Sequence, residues 1–216
     1  YGNYNEMLKC EDDVEALVVS QPFTRHSILL PELLQYGLPI FIEKPLAASI
    51  EGGRRIIDAT KEAGTWLMVG YHKRSDPATM WARQEIDRLR GSGELGGMKY
   101  VRIAMPPGDW VAGGFNELIK SDESLPELQV EPRPADMDQE FFDKYLAFVN
   151  YYIHQVNLMR HLMGEPYKVV FADRPGVICV VESESGVTGV IEMAAYRTSL
   201  DWQEAEALAD RAEAGD

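Results

Sequence analysis

The sequence is poor in cysteine, in basic side chains and in long hydrophobic runs. Its 216 residues include only Cys10 and Cys179, which are too few and too far apart for a disulfide framework or a thiolate metal site. Each lies beside or within apolar sequence, where we expect a small buried thiol. This sparse cysteine usage indicates a reducing compartment, and we expect the protein to be cytoplasmic.

Basic residues are scarce relative to acidic ones. There are 21 Lys and Arg against 35 Asp and Glu, which gives a formal net charge of −14 at pH 7. Nucleic acids and anionic membranes attract clustered Lys and Arg, so we expect neither as a partner. The apolar runs, such as 177–181, are far shorter than the about 20 residues that a membrane-spanning helix needs. Because 45% of the residues are apolar, the chain can still bury a sizeable core, and we expect a small-molecule partner.

The first third of the sequence alternates strand and helix patterns. Short apolar, β-branched runs predict three strands, at 14–20, 39–42 and 65–71. Helical spacing predicts helices at 23–35 and 54–63, the second capped by Ser49 and stopped by Gly64. Strands separated by helices of this length imply right-handed β-α-β crossovers and a parallel sheet covered on both faces.

After residue 71 the pattern changes to a second kind of domain. Helical spacing predicts helices at 77–90 and 138–163, and a segment rich in Gly, Pro and acidic residues predicts a long surface loop at 106–134. The predicted strands are 98–105, 168–172, 176–183 and 187–194, and the tail 202–216 is helix-prone. The fold class is therefore α/β: part of a Rossmann-like parallel sheet, followed by an α+β domain with a mainly antiparallel open sheet.

One glycine motif is misleading. Residues 91–96 match the dinucleotide fingerprint G-x-G-x-x-G, but that motif requires a strand before it and a helix after it. Here a predicted helix precedes the glycines and a predicted strand follows them. We therefore interpret the segment as a helix C-cap and a turn.

Lys44 is the first residue that could carry chemistry. It lies at the C-terminal end of a predicted parallel strand, the edge of such sheets where ligands bind, and Pro45 restricts it to an extended conformation. A lysine held beside a substrate hydroxyl can relay a proton if its pKa is lowered. A solvated surface turn formed by Glu43 and Lys44 is the alternative interpretation.

The long predicted helix carries a polar ribbon beside its apolar face. Asn150, His154, Asn157 and His161 follow one another at steps of four, three and four residues. The ribbon could line a cleft, or it could be an ordinary solvated helix flank. No His or carboxylate lies one turn from either histidine on this ribbon, so we expect no metal site.

The turn after the third strand brings further charge to the sheet edge where Lys44 lies. His72, Lys73 and Arg74 follow that strand directly. Ser75, Asp76 and Pro77 are also suited to begin the next helix, and the two interpretations are compatible.

Taken together, four blocks of the sequence resemble the Gfo/Idh/MocA family, the oxidoreductases named for glucose-fructose oxidoreductase and inositol dehydrogenase. The blocks are 13–26, Glu43-Lys44-Pro45-Leu46-Ala47, 70–77 and 150–164. The resemblance implies NAD or NADP as cofactor and hydride transfer to or from a sugar or polyol hydroxyl. It implies that residues 1–73 are the C-terminal half of a nucleotide-binding Rossmann domain. Residues 74–216 would form a substrate-binding domain whose open sheet mediates homo-oligomers.

The resemblance also implies roles for individual residues. Lys44 would contact the nicotinamide ribose and the reacting hydroxyl, and His154 would be the general acid/base. A cis peptide bond before Pro45 is common in the family. The residues expected to line the cofactor are Ser20, Gln21, Pro22, His26, Glu43 and Lys44. For the substrate, the resemblance places His72 and Lys73, the polar ribbon adds Asn150 and Asn157, and the start of the long loop adds Asp109 and Trp110.

The chain departs from the family pattern in two places. The family usually has Asp at the position of Asn150, and an amide can hold a hydroxyl but cannot accept its proton. The family's first strand and glycine-rich turn should precede Tyr1, so we expect a fragment that is inactive alone. An NAD-dependent glycoside hydrolase of the same fold and a non-catalytic sugar or nucleotide sensor are the alternatives.

Overall fold

The computed structural model describes residues 1–104, 128–174 and 176–193, and the backbone of 204–211. It divides into two compact units. The described residues of Tyr1–Tyr71 and Leu125–Tyr151 form the first, and those of His72–Ser124 and Tyr152–Asp216 form the second. The domain limits 1–73 and 74–216 stay a prediction.

The first unit contains a three-stranded parallel sheet in the order β1-β2-β3. Its strands are β1 (Leu17–Val19), β2 (Ile40–Ile42) and β3 (Leu67–Val69). Its helices are α1 (Tyr4–Cys10), a 3-10 turn (Phe23–Arg25), α2 (His26–Leu34) and α3 (Ile50–Ala63). The predicted order is confirmed, and α3 begins and ends as expected: Ser49 Oγ accepts a hydrogen bond from Gly52 N, and Gly64 has φ 64°.

One face of this sheet is packed against helices, and the opposite face carries exposed apolar side chains. Leu17, Ile40 and Ile42 pack against α2 and α3 in a single apolar core. Val18, Phe41 and Met68 lie side by side in register on the other face and are 80%, 36% and 50% exposed. The apolar strands predict a sheet that is covered on both faces. Within the part of the chain that the structure describes, only one face is covered.

The second unit contains α4 (Pro77–Ser92) and a five-stranded sheet in the order β5-β6-β7-β4-β8. Its strands are β4 (Leu95–Ala104), β5 (Tyr167–Ala172), β6 (Ile178–Ser183), β7 (Thr188–Glu192) and β8 (Glu204–Arg211). Only the pair β4–β7 is parallel, so the predicted mainly antiparallel sheet is confirmed.

The predicted helical tendency of the tail is wrong, because β8 pairs with β4 along its length. A strand edge offers a full row of backbone hydrogen-bonding groups, and such pairing overrides the small helix propensity of an Ala- and Glu-rich segment.

Helix α5 (Gln139–Met163) contributes residues to both units. Its C-terminal turns bury Leu158, Met159 and Met163 against the sheet of the second unit. The turn interpretation of residues 91–96 is also correct, since Gly93 caps α4 with φ 69° and β4 begins two residues later.

Two further expectations concern cysteine and membranes. Cys179 is partly buried as expected, but Cys10 is exposed, because α1 buries none of its residues. Among the residues described, no helix combines the length and apolarity needed to cross a membrane.

Candidate active site

Lys44 follows β2 at the C-terminal edge of the parallel sheet. Its Nζ donates hydrogen bonds to the backbone oxygen and to Oδ1 of Asn150, both at 2.9 Å. Burial lowers the pKa of Lys44, and the charge of Glu43 partly opposes this shift. Lys44 is thus a half-buried ammonium that is hydrogen-bonded to Asn150, and its lowered pKa makes proton transfer easier than for a solvated lysine.

The peptide bond between Lys44 and Pro45 is cis, as the resemblance implies. Buried His26 faces the backbone around this bond: Nδ1 lies 3.0 Å from the Pro45 oxygen, and Nε2 lies 3.0 Å from the Gln21 oxygen. His26 therefore joins the segments that follow β1 and β2. Its contact with a cofactor stays a prediction.

Two residues that the sequence did not single out for chemistry hold the segment after Lys44. The Tyr145 hydroxyl donates to the Ala48 oxygen at 2.7 Å. Glu131 is 7% exposed, and its carboxylate accepts from Ser27 Oγ at 2.7 Å and from Ser49 Oγ. The expectation that 106–134 is surface loop throughout is therefore wrong at Glu131. No local signal could have revealed this, because its partner Ser27 lies 104 residues away in sequence.

A cavity of about 420 Å³ lies along β1 in the first unit. Predicted cofactor residues Ser20 and Gln21 line it, together with Arg25 and apolar side chains that include Val18 and Leu128. Gln21 Oε1 accepts a hydrogen bond from the Arg25 guanidinium. Pro22 and Glu43 are exposed, and the Glu43 carboxylate accepts from the Lys44 amide at 3.2 Å.

In the second unit, the structure brings together His72 and His154. Their ring centroids are 4.7 Å apart in an edge-to-face arrangement. His154 is 8% exposed, so at this position the polar ribbon is not a solvated flank. Burial lowers the pKa of His161 farther along the same ribbon, and the nearby charges of Arg74 and Arg83 lower it further.

Two other predicted substrate residues, Asn157 and Lys73, lie in the second unit. Asn157 Oδ1 accepts a hydrogen bond from Arg74 Nε at 2.7 Å. Lys73 lines a cavity of about 320 Å³ whose walls include Asp76 and Leu158. Asp109 and Trp110 lie outside the described residues, and their role stays a prediction. In the described part of the chain, no group of three or more His, Cys, Asp or Glu side chains is placed to hold a metal.

Comparisons with known proteins find similar oxidoreductases. Residues 1–71 match the Gfo/Idh/MocA family, described as an oxidoreductase family with an NAD-binding Rossmann fold. The chain is 26% identical over 202 residues to the scyllo-inositol 2-dehydrogenase (NAD(+)) of Bacillus subtilis, a match that covers 86% of this chain and 49% of that protein. It is 26% identical over 140 residues to the inositol 2-dehydrogenase of Rhizobium meliloti, covering 61% and 41%. The chain therefore spans about half the length of the curated relatives it matches.

Solved structures share the fold. A probable dehydrogenase from Thermotoga maritima aligns with a TM-score of 0.66 at 20% identity, over 98% of this chain and 59% of that one. GenD2 from gentamicin A biosynthesis, solved in complex with NAD, aligns with a TM-score of 0.68 at 18% identity, over 97% of this chain and 56% of that one. At these identities the likeness establishes the architecture alone.

Proposed function

We propose that the chain belongs to the Gfo/Idh/MocA family of oxidoreductases, whose NAD-binding Rossmann fold residues 1–71 match, and that the full-length protein transfers hydride between NAD or NADP and a sugar or polyol hydroxyl. The observation that carries the proposal is the placement of Lys44 at the carboxyl edge of a parallel sheet, where its ammonium donates hydrogen bonds to Asn150. The similarity to inositol dehydrogenases supports a polyol as the substrate class.

We propose that residues along β1 contact part of a nicotinamide dinucleotide. Such ligands occupy concave, mostly apolar sites with a few polar groups, and the cavity beside β1 combines Val18 and Leu128 with Ser20 and Gln21. Ser20, Gln21, Pro22 and Glu43 would hold the cofactor from the ends of two neighbouring strands. When bound, the nicotinamide supplies the hydride acceptor or donor.

We assign two proton-handling roles to this chain's own residues. Lys44 Nζ donates a hydrogen bond to the reacting hydroxyl and stabilises the negative charge that develops on its oxygen. A ring nitrogen of His154 takes the hydroxyl proton during oxidation and returns it during reduction. Asn150 orients Lys44 through its two oxygens, but its amide takes no part in proton transfer.

The test is turnover of the full-length protein on a panel of inositols, sugars and other polyols. We expect H154A to lower kcat/KM by about 10²-fold to 10⁴-fold, the usual contribution of a general acid/base. K44M should cause a similar loss, and K61M, which removes a lysine that is 72% exposed, is the matched control.

The alternatives give different results in the same assay. Unchanged turnover in either variant refutes the role assigned to that residue. Product formation without net cofactor reduction indicates a glycoside hydrolase. Binding of a sugar without any turnover indicates a sensor, the alternative that Asn150 favours.

We also propose that the protein forms homo-oligomers through the open face of the five-stranded sheet. Phe171 and Ile178 lie on this face and are 56% and 37% exposed.

The two cysteines are free thiols, which supports a reducing compartment such as the cytoplasm.

A further inference from the structure

Residues 43–49 connect β2 to α3 and carry Lys44; we call them the lysine loop. Side chains from outside the loop hold it at several points. Tyr145 donates to the Ala48 oxygen, and the His26 ring faces the oxygens of Pro45 and Leu46 at 3.0 and 3.2 Å. The last point of attachment is Ser49, whose hydroxyl donates to Glu131.

Glu131 has unusual surroundings for a carboxylate. It is nearly buried, and a buried charge is costly unless it is well hydrogen-bonded. The hydroxyls of Ser27 and Ser49 supply these hydrogen bonds, and the adjacent N-terminus of α3 favours a negative charge. The backbone of Glu131 is also tied to the first unit, since its N–H donates to the Thr24 oxygen at 2.7 Å.

The packing at α3 leaves room for this carboxylate only because residue 52 is glycine. A Cβ at Gly52 would lie 2.6 Å from Glu131 Oε2 and 2.9 Å from Ser27 Cβ. Glu131 therefore occupies a confined position between α2, the lysine loop and the start of α3.

We propose that Glu131 is a positioning residue. It holds the lysine loop through Ser49, so that the ammonium of Lys44 stays hydrogen-bonded to Asn150. Its importance for turnover rests on the proposed function. Its effect on Lys44 can be measured without cofactor or substrate.

Loss of the carboxylate has two opposing effects on Lys44. Removing a negative charge disfavours the ammonium and lowers the pKa of Lys44. Releasing the loop returns Lys44 to water and raises its pKa towards the ordinary value, because burial is the main cause of its lowered pKa. Glu43, the charged group that opposes this shift, is unchanged in both cases. The direction of the change therefore distinguishes release of the loop from loss of charge.

The experiment is competitive acetylation of the 216-residue chain across pH, with the labelling of each lysine read by mass spectrometry. Exposed Lys61 is the internal reference. We expect the pKa of Lys44 to lie below the ordinary lysine value in the wild type and to rise to that value in E131A. E131Q should stay close to the wild type, since an amide can accept from Ser49 and donate to the Ser27 oxygen. E51A, which removes an exposed carboxylate from the first turn of α3, should have no effect.

Circular dichroism establishes which variants are folded. A folded E131A in which the pKa of Lys44 is unchanged or lower overturns the proposal, as does an equal rise in E131A, E131Q and E51A. If E131A does not fold, S49A, which removes the hydroxyl through which Glu131 holds the lysine loop, replaces it and is judged by the same criterion. Loss of turnover in K44M or H154A has no bearing on these outcomes, so failure here is separable from failure of the proposed function.

Discussion

Gly52 and Gly53 are adjacent in α3, but a methyl group at each would meet different surroundings. A Cβ at Gly53 would lie 3.6 Å from Leu46 Cδ2, an ordinary van der Waals contact, whereas one at Gly52 would overlap Glu131 and Ser27. Glycine inside a helix is normally the less favourable residue, because it loses more backbone entropy than alanine on folding. Only Gly52 therefore has a packing reason to be glycine.

We expect G53A to raise the free energy of unfolding by about 0.5–1 kcal/mol, the usual helix-propensity gain. G52A should lower it by about 1–3 kcal/mol, since the new methyl group overpacks a confined site. Urea unfolding of the two variants measures the difference. Equal stabilisation by both substitutions would show that Glu131 moves aside at little cost.

At the scale of the elements, the last carbonyl groups of helix α5 accept hydrogen bonds from two arginine side chains. Arg83 of α4 donates to the oxygens of His161 and Leu162 at 2.8 and 3.4 Å, and Arg90 donates to the Met163 oxygen at 2.9 Å. The last carbonyls of a helix have no partner within it, and positive charge there is favourable with the helix dipole. The two arginines thus join α4 to the end of α5.

R83M should lower the free energy of unfolding by about 1–2 kcal/mol, because it leaves carbonyls at the end of α5 without their donor. The control is R88M in the same helix. Among the described residues, Arg88 pairs only with partly exposed Glu85 and exposed Glu94, and such surface pairs contribute about 0–1 kcal/mol. Chemical denaturation of both variants gives the comparison, and a loss no larger in R83M than in R88M would contradict this account.

At the scale of the whole molecule, the five-stranded sheet has one face packed on α5 and another with exposed apolar side chains. The strand register places Phe171, Val180 and Val190 in one row on the open face. Val169 of the same edge strand pairs with buried Val181 and so lies on the α5 side. Exposed apolar surface of this kind is typical of an interface between protein chains.

F171K should therefore shift the full-length protein towards the monomer in sedimentation velocity. V169K, which adds the same charge to the same strand on the opposite face, should leave the assembly intact. The proposed oligomer is refuted if the unmodified protein sediments as a monomer, or if both variants dissociate equally.

The sequence by itself determined most of the elements and the resemblance to a family. Periodicity located β1 to β3, α4 and α5, and the caps at Ser49, Gly64 and Gly93 were predicted from neighbouring residues. Lys44, His72 and His154 were identified because they belong to short motifs. These signals can be read from sequence because each depends on residues within a few positions of one another.

Only the tertiary structure decided which distant groups meet. Glu131 reaches Ser27 and Ser49, Lys44 reaches Asn150, and residues 204–211 form a strand because β4 offers them an edge. The open row of β1, β2 and β3 likewise depends on what packs against the sheet and not on the composition of the strands. These contacts join residues from 82 to 116 positions apart. Their free energy comes from burial and hydrogen bonding between segments that carry no common local pattern.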